Sequence, residues 1–226
     1  MTTAIVVAAG KGSRMGGAVD KAFLTLGSRP VVAHALAAFE RCPDVSEVVL
    51  VVRKDQLSAA DSAVRMFGLR KVRRIVAGGA TRLASVRAGI AAANPDTTYF
   101  AVHDGARPAV PVALVRDCVA SARKFGSGVA AAKITDTVKS VTRAGVVEST
   151  LDREPLWAAQ TPQVFRADLL RKALEKADDK DPSITDESSA VERLGEKVRI
   201  VESKEPNPKI TYPGDVGTVA RLLGIA

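Results

Sequence analysis

The sequence has few aromatic residues and no apolar run long enough to cross a membrane. Aromatic residues make up 4% of the 226 residues, whereas proteins that bind single-stranded nucleic acids use aromatic side chains as stacking platforms. Apolar runs such as residues 4–9 and 129–132 are far shorter than the ~20 residues that span a bilayer. No basic segment precedes the first apolar run, so a signal peptide is not expected. We therefore expect a soluble protein of the cytoplasm that has no membrane as its partner.

Cysteine and histidine are also scarce, with two of each in the chain. Cys42 and Cys118 lie in apolar stretches with a helical pattern and lack CxxC or Cys/His spacing, so we expect small buried residues in a reducing compartment. His34 falls in an apolar helical stretch and is expected to be structural. We expect His103 to be a hydrogen-bonded structural residue rather than a catalytic one.

Basic residues outnumber acidic residues. The chain has 33 Lys+Arg and 25 Asp+Glu, a net charge of +8 and a pI near 9.7. This balance favours a polyanionic ligand, which could be a nucleic acid, a nucleotide or an organic phosphate. A basic module that binds duplex nucleic acid is one alternative. Because no recognition-helix pattern supports it, we expect no nucleic-acid partner.

Apolar, strand-like segments alternate with helical patterns along the chain. Strands are predicted at residues 4–8, 48–52, 72–77, 99–102, 128–134 and 198–201. Helices are predicted at residues 31–39, 57–67, 81–93, 111–124, 169–177 and 187–194, with a closing helix that Pro213 opens. This alternation predicts βαβ units, and hence a three-layer α/β fold around a mostly parallel sheet. Such sheets bind ligands beyond the carboxyl ends of their strands, where loops 9–17, 78–85 and 103–108 fall.

Residues 135–151 differ from the rest, because they combine two short strands around Ala144 and Gly145 with mostly polar side chains. A lone two-stranded hairpin is marginal in water. The hairpin therefore either belongs to a domain of its own or projects and docks on a second subunit. No linker is long enough to divide the chain, so we predict one domain over residues 1–226.

The first loop contains a glycine-rich segment, residues 8–17. It does not match the dinucleotide fingerprint, because the third glycine falls one place late, or a P-loop, because Ala18 follows Gly17. What remains is a strand-to-loop turn that carries Lys11 and Arg14. Backbone N–H groups of such a turn can surround a phosphate that the cations neutralise, although a plain tight turn with solvated charges is an alternative.

The second loop places glycines and polar residues at the entry to a helix. Gly78 and Gly79 allow close backbone approach to a flat base, and Ser85 lies one turn into the helix, where it can bond a base edge. The alternative, a glycine turn with Thr81 as the helix cap, leaves Arg82 and Ser85 unexplained.

The third loop, residues 103–108, follows a buried strand directly. Asp104 can hold a divalent metal on nucleotide phosphates, and Arg107 can bind a second phosphate through its planar fork. Asp104 as a plain helix cap is an alternative, but Arg107 and Pro108 favour a site loop.

In order and spacing, these segments resemble the 2-C-methyl-D-erythritol 4-phosphate cytidylyltransferase family of the non-mevalonate isoprenoid pathway. The resemblance runs along the whole chain and rests on the three loops together with residues 136–139, 151–153, 156–157, 160–163, 185–187 and 207–211. Each segment is weak by itself, but their order and spacing are specific. The chain departs from the family's common pattern at Asp20 and Ala22, which flank Lys21, and at Gly105.

The resemblance implies a Rossmann-like three-layer α/β sandwich of the nucleotide-diphospho-sugar transferase type, with a projecting β-hairpin arm. It implies attack by the phosphate of 2-C-methyl-D-erythritol 4-phosphate on the α-phosphorus of CTP, which releases pyrophosphate and leaves a CDP-alcohol. Because the second pKa of a phosphate monoester is about 6, this nucleophile is mostly ionised at neutral pH and needs no general base. A related cytidylyltransferase for ribitol 5-phosphate is the alternative, although residues 156–160 and 185–187 are closer to the methylerythritol enzymes.

The resemblance also implies roles for individual residues. Arg14 and Lys21 would stabilise the transition state, and Arg153 and Lys209 would position the acceptor phosphate. Asp104 would bind Mg²⁺ or another divalent cation. The residues implied in nucleotide binding are Ala8, Ala9, Gly10, Gly12, Ser13, Gly79, Arg82, Ser85 and Asp104.

Acceptor contacts are implied for Arg107, Thr137 and Thr161. In the family the arm crosses to a partner subunit, so we expect a homodimer that forms through residues 135–153. Thr137 and Arg153 would then serve the neighbour's site.

Overall fold

The computed structural model describes residues 1–10, 21–179 and 181–225. Within these residues the strands are β1 (Thr2–Ala8), β2 (Thr25–Leu26), β3 (Arg29–Pro30), β4 (Glu47–Val52), β5 (Val72–Ala77), β6 (Tyr99–Asp104), β7 (Ser127–Lys133), β8 (Lys139–Val141), β9 (Val147–Thr150), β10 (Trp157–Arg166) and β11 (Ile200–Glu202). The helices are α1 (Val31–Arg41), α2 (Leu57–Met66), α3 (Arg82–Ala92), α4 (Val112–Phe125), α5 (Ala167–Lys176), α6 (Glu187–Glu192) and α7 (Asp215–Leu222).

Seven strands form one sheet in the order β11-β7-β10-β6-β1-β4-β5. Strand β1 pairs in parallel with both β4 and β6, and β5 extends the sheet in parallel beyond β4. Strand β10 runs antiparallel to both of its neighbours, β6 and β7. The sheet is therefore mostly parallel, as the sequence predicts, and the carboxyl ends of β1, β4, β5 and β6 lie at one edge.

Two apolar clusters lie on opposite faces of this sheet. Along β1, Ala4, Val6 and Ala8 belong to one cluster, and the intervening Ile5 belongs to the other, because successive side chains of a strand point to opposite faces. The first cluster is completed by α1, α2 and α4, and the second by α3, α5 and α6. Helices thus cover both faces, which confirms the predicted three-layer α/β sandwich.

Helix α1 is the most apolar of the helices that the sequence predicts. Of its 11 residues, those from Val31 to Ala33 and from Ala35 to Phe39 are buried. Burying apolar side chains contributes ~25 cal/mol per Å² removed from water, so α1 is stabilised by packing on the sheet rather than by a cap. The prediction that this helix is largely buried is confirmed.

Strand β10 was not predicted from the sequence, although it lies near the centre of the sheet. Its sequence contains Pro162 and two glutamines, which are uncommon in central strands. The register with β7 shifts between Ala159 and Gln163, so the proline lies where the ladder is interrupted.

The short strands β2 and β3 were not predicted either. Helix α7 begins at Asp215 rather than at Pro213, and the Asp215 carboxylate accepts hydrogen bonds from the backbone N–H groups of Thr211 and Tyr212.

The predicted hairpin arm is present as β8 and β9, which pair with each other in a separate two-stranded sheet. Gly145 turns the chain between them with φ +79, a left-handed conformation that favours glycine. Val141, Val146, Val147 and Leu151 on or beside the arm are all exposed. In the described part of the chain, no helix is both long and apolar enough to span a membrane.

Candidate active site

A cavity of about 610 Å³ opens at the carboxyl edge of the sheet. Its walls come from the ends of β1, β5 and β6, from the first turn of α3 and from Lys209. The described parts of the three loops singled out in the sequence therefore meet here. The cavity is lined by these candidate residues: Ala8, Ala9, Gly10, Lys21, Gly79, Arg82, Ser85, Asp104 and Lys209.

The loop that follows β5 approaches its neighbours too closely to carry side chains. A Cβ on Gly78 would lie 2.4 Å from the Cβ of Ala9 and 2.8 Å from the hydroxyl of Ser85. The Ser85 hydroxyl accepts a hydrogen bond from the N–H of Gly79 (3.1 Å) and donates one to the carbonyl of Thr81 (2.9 Å). Thr81 in turn caps α3 by accepting from the backbone N–H of Ala84. The loop's own packing therefore requires a glycine here, and it fixes Ser85 on the cavity wall.

Asp104 ends β6 at the floor of the cavity and is surrounded by basic side chains. One carboxylate oxygen lies 2.7 Å from the ammonium of Lys209 and 3.8 Å from Nε of Arg107. The other lies 3.3 Å from Nε of Arg82. Burial by itself would raise the pKa of the Asp104 carboxyl, but Arg82, Lys209 and Arg107 together hold it well below its usual range. Asp104 is therefore a carboxylate at neutral pH.

Arg82 connects this cluster to a second carboxylate, that of Glu187. The two terminal nitrogens of Arg82 donate hydrogen bonds of 2.6 and 3.0 Å to the two oxygens of Glu187. Burial by itself would lower the pKa of Arg82, but the charges of Glu187 and Asp104 raise it above its ordinary value. The guanidinium therefore stays charged while its Nε faces Asp104.

His103 supports the Asp104 loop from inside the protein. The backbone N–H of Asp104 donates to the hydroxyl of Thr161 (3.0 Å), which leaves the hydroxyl hydrogen for Nδ1 of His103 (3.0 Å). Nε2 then carries the ring hydrogen and donates it to the carbonyl of Arg107 (3.2 Å). Burial lowers the pKa of His103 to about 4, so the imidazole is neutral at pH 7. This placement agrees with a hydrogen-bonded structural histidine.

Arg107 lies behind the cavity and has a partner from the segment that precedes Lys209. Its guanidinium donates a 2.6 Å hydrogen bond to the carbonyl of Asn207. Asn207 donates to the carbonyl of Thr161 (2.8 Å), which fixes this segment to β10. Nε of Arg107 is buried and has no hydrogen-bond partner among the described residues. Because this nitrogen lies 3.8 Å from the Asp104 carboxylate, Arg107 adds positive charge beside Asp104.

The candidate residues thus fall into four groups. Most of them line the cavity. Thr161 and Arg107 lie directly behind it, and Thr161 is 3% exposed with its hydroxyl in the network around His103. Thr137 and Arg153 lie exposed on the arm, where Arg153 donates to the carbonyl of Thr135. The candidates that lie outside the described residues are Gly12, Ser13 and Arg14.

Two features of this site have no role predicted from the sequence. Glu187 was part of a recognised segment, but its partner Arg82 lies 105 positions away along the chain. Arg53 and Lys54, after β4, also line the cavity. Their position at the end of a predicted parallel strand was the available signal, because all such strands end at the same edge.

Among the described residues, no cluster of three or more His, Cys, Asp or Glu side chains is arranged to hold a metal ion. Two carboxylates line the cavity: that of Asp104, at the end of β6, and that of Asp55, after β4, which is paired with Arg53. Mg²⁺ in nucleotide sites is commonly held by one or two carboxylates together with substrate phosphates. A carboxylate has about four acceptor positions, so Asp104 can accept a cation in addition to its present partners. The donor set therefore fits an ion that arrives with a nucleotide, rather than one that the protein holds alone.

The sequence matches known proteins over nearly its whole length. The sequence model of the 2-C-methyl-D-erythritol 4-phosphate cytidylyltransferase family matches residues 2–224. An enzyme of that name from Pelotomaculum thermopropionicum is 43% identical over 221 residues, which cover 97% of this chain and 92% of the relative. Another, from Syntrophotalea carbinolica, is 40% identical over 214 residues and covers 94% of this chain and 91% of the relative.

Solved structures give the same result. The 4-diphosphocytidyl-2C-methyl-D-erythritol synthase of Anaerococcus prevotii superposes with a TM-score of 0.85 at 29% identity, covering 99% of this chain and 98% of that one. The 2-C-methyl-D-erythritol 4-phosphate cytidylyltransferase of Thermus thermophilus gives a TM-score of 0.78 at 30% identity, with 97% and 98% covered.

Proposed function

The chain belongs to the 2-C-methyl-D-erythritol 4-phosphate cytidylyltransferase family, and we propose that its cavity binds CTP and 2-C-methyl-D-erythritol 4-phosphate and joins them. Each relative described above carries the methylerythritol acceptor in its name, which favours this acceptor over ribitol 5-phosphate. The observation that carries the assignment of the site is that Lys21, Arg82 and Lys209 line one cavity at the carboxyl edge of the sheet, where Arg82 and Lys209 are paired with Asp104.

The reaction transfers a cytidylyl group without a proton-abstracting residue. An oxygen of the acceptor phosphate forms a bond to the α-phosphorus of CTP, while the bond from that phosphorus to the bridging oxygen breaks and its electron pair leaves with pyrophosphate. The acceptor phosphate is already mostly ionised at pH 7. The described lining of the cavity contains no histidine, and Asp104 has a pKa well below its usual range. Stabilising the phosphate charges is therefore the task that remains for the protein.

Basic side chains perform this task in our proposal. Lys21 and Arg82 hold the triphosphate of CTP, and Arg14 adds a third cation from the glycine-rich loop. Lys209 binds the acceptor phosphate and aims it at the α-phosphorus. Removal of one well-placed donor from such a site costs roughly 10²–10³ in turnover. Thr161 and Arg107 contribute by holding the Asp104 loop and the Lys209 segment in place.

The cytosine ring lies against the loop that follows β5. Gly79 allows the ring to approach the backbone, and the fixed hydroxyl of Ser85 provides a polar contact on the same wall. Hydrogen bonds to the amino edge of the base would select cytosine over uracil, because a site that is built for a donor leaves polar groups unpaired when the donor is missing.

Asp104 is the residue that would hold Mg²⁺ or another divalent cation on the nucleotide. Such an ion neutralises phosphate charge and so reduces the repulsion between the two substrates. Asp104 remains ionised to bind it because Arg82 and Lys209 keep its pKa low.

We further propose that the chain is one domain over residues 1–226 and forms a homodimer through the arm, residues 135–153. Thr137 and Arg153 lie on this exposed hairpin and do not line the described cavity of their own chain. Four apolar side chains on and beside the arm are exposed, which is the kind of patch that a second subunit covers. Thr137 and Arg153 would then complete the acceptor site of the neighbour.

The two unpaired, buried thiols of Cys42 and Cys118 agree with a reducing compartment, and we place the enzyme in the cytoplasm.

A pyrophosphate-release assay tests the assignment. Four nucleoside triphosphates are each combined with methylerythritol phosphate and with ribitol 5-phosphate. We expect turnover with CTP and methylerythritol phosphate to exceed every other combination. A preference for ribitol 5-phosphate would overturn the assignment of the acceptor, and a preference for another nucleotide would overturn that of the cytosine site.

A further inference from the structure

Glu187 is a fully buried carboxylate next to the cavity. It is the first residue of α6, and its side chain is 1% exposed. Both of its oxygens accept hydrogen bonds from Arg82, on α3. A charge that is removed from water to this extent is costly unless it is paired, and Arg82 provides that pairing.

The position of Glu187 is itself fixed by β10. Gln163 accepts a hydrogen bond from the N–H of Ser188 (3.0 Å) and donates one to the carboxylate of Asp186 (2.8 Å). Asp186 also caps α6 by accepting from the N–H of Ser189 (2.9 Å). The residues on both sides of Glu187 are therefore bonded to a central strand, so the carboxylate cannot follow Arg82 if the arginine moves.

Holding Arg82 in this way determines what Asp104 can bind. Each terminal nitrogen of Arg82 donates one of its two hydrogens to Glu187, and Nε faces Asp104 at 3.3 Å. The second hydrogen of each terminal nitrogen remains for a phosphate oxygen. If Glu187 lost its charge, the guanidinium would be released to form a two-pronged pair with Asp104, the arrangement that arginine and carboxylate groups favour. The carboxylate would then be shared with the full fork of an arginine instead of with a cation on the nucleotide.

A purely stabilising role explains this pair less well. Replacing a buried ion pair by apolar residues of similar size is often neutral or stabilising. An ion pair at this place therefore brings little stability that leucine or methionine could not provide. What it does provide is a fixed direction for one guanidinium at the edge of the cavity.

We propose that Glu187 is a positioning residue for nucleotide binding, which holds Arg82 against the triphosphate site and keeps Asp104 available to a nucleotide-bound cation. The inference rests on the proposed function, in which Arg82 and Asp104 face the phosphates of CTP. It predicts that neutralising Glu187 weakens CTP binding although Glu187 does not line the cavity.

The test compares Glu187→Gln with Glu47→Gln. Glu47 is also a buried carboxylate, and it accepts hydrogen bonds from Thr3 (3.1 Å) and from the N–H of Asn94 (2.9 Å) at the opposite edge of the sheet. Calorimetric titration with CTP in MgCl₂, without acceptor, measures binding with no turnover. We expect Glu187→Gln to weaken CTP binding about tenfold, a typical loss when a supporting residue is removed. Glu47→Gln should bind CTP like the wild type, although its melting temperature should fall by about as much as that of Glu187→Gln.

A double-mutant cycle separates positioning from folding. In an Arg82→Ala background, Glu187→Gln should cause no further loss of CTP affinity, because the residue through which it acts is missing. If Glu187→Gln does not fold, Glu187→Asp, which keeps the charge and withdraws the carboxylate, should weaken CTP binding severalfold.

Three results are distinguishable. A wild-type protein that binds no CTP contradicts the proposed function itself. A wild-type protein that binds CTP, with Glu187→Gln or Glu187→Asp binding equally well, overturns the role of Glu187 alone. A loss in Glu187→Gln that persists undiminished in the Arg82→Ala background also overturns it.

Discussion

The ammonium of Lys209 lies 2.7 Å from a carboxylate oxygen of Asp104, although 105 positions separate the two residues in the sequence. The contact joins the segment before α7 to the end of β6, and it places the cation proposed to bind the acceptor beside the residue that would hold the nucleotide's metal ion. The two substrates would therefore meet at one ion pair. Lys209 is held by Asp104 in the position from which it would bind a phosphate.

Lys209→Ala should reduce turnover by about 100-fold, because the acceptor phosphate loses a donor that stabilises its approach. The loss in kcat/KM should be larger for the acceptor than for CTP. Initial rates measured over a range of acceptor concentrations at saturating CTP will show this, with Lys209→Arg as the control that keeps the charge. A variant that retained near-normal kcat and KM for the acceptor would remove Lys209 from the mechanism.

Lys21→Ala and Arg14→Ala should depress kcat by roughly 10²–10³, while the free energy of unfolding changes by no more than about 0.5 kcal/mol. Both substitutions replace charged residues of the glycine-rich loop and its continuation. Lys124→Ala is a suitable control, because Lys124 lies over the ring of Phe125, away from the cavity. Should either loop variant keep near-normal kcat in the pyrophosphate assay, its proposed role is wrong.

His103 should make the protein less stable as the pH falls below neutrality. Burial lowers the pKa of the folded-state imidazole to about 4, from 6.5. Between these values the unfolded chain binds the proton and the folded chain does not, so the contribution to stability is complete above pH 6.5 and is lost as the pH falls towards 4. The loss from this residue is about 3 kcal/mol.

Urea unfolding at several pH values between 4 and 7 measures this effect. In His103→Gln the free energy of unfolding should depend less steeply on pH over this range than in the wild type. Equal pH dependence in the two proteins would mean that His103 is not held neutral by the fold.

Gly78→Ala should destabilise the protein by about 1–3 kcal/mol, the usual cost of inserting a methyl group into a packed region. Its Cβ would lie 2.4 Å from that of Ala9, and it would displace the hydroxyl of Ser85. The KM for CTP should rise as well. Gly214→Ala, where no atom lies within 4 Å of the added Cβ, should behave like the wild type in both measurements. A normal KM for CTP in Gly78→Ala would show that Ser85 does not contact the base.

Arg153→Ala should mainly impair use of the acceptor, and it should be rescued by a second chain if the arm is exchanged. A heterodimer of Arg153→Ala with Lys21→Ala contains one complete site when each arm serves the neighbour's cavity, and none when it serves its own. Random mixing should therefore restore about a quarter of the wild-type activity. No recovery in confirmed heterodimers would assign Arg153 to its own chain.

The local sequence pattern predicts much of the fold. Strand β5 has the predicted bounds, and α3 and α4 differ from their predictions by one residue at each end. In α4 the apolar periodicity reports directly on the buried face of the helix. Strand β10 could not be predicted in this way. Its glutamines and proline serve hydrogen bonds and a register shift that depend on neighbours far away in the sequence.

The site also contains residues that the local sequence pattern identifies and contacts that depend on residues far away in the sequence. The cavity residues Gly79, Ser85 and Asp104 could be found because they lie at or after the carboxyl end of a parallel strand. The pairing of Arg82 with Glu187 could not be found, because the sequence does not reveal that the first residue of α6 meets the first residue of α3. Likewise, the sequence does not show that the hydroxyl of Thr161 lies between His103 and the backbone of Asp104.

A crystal structure with CTP and Mg²⁺ is the most direct test of the account. We expect the triphosphate in the cavity at the carboxyl edge of the sheet, with Lys21 and Arg82 within hydrogen-bond distance of its oxygens and Asp104 facing the metal ion. A triphosphate bound elsewhere, or one that these three side chains point away from, would contradict it.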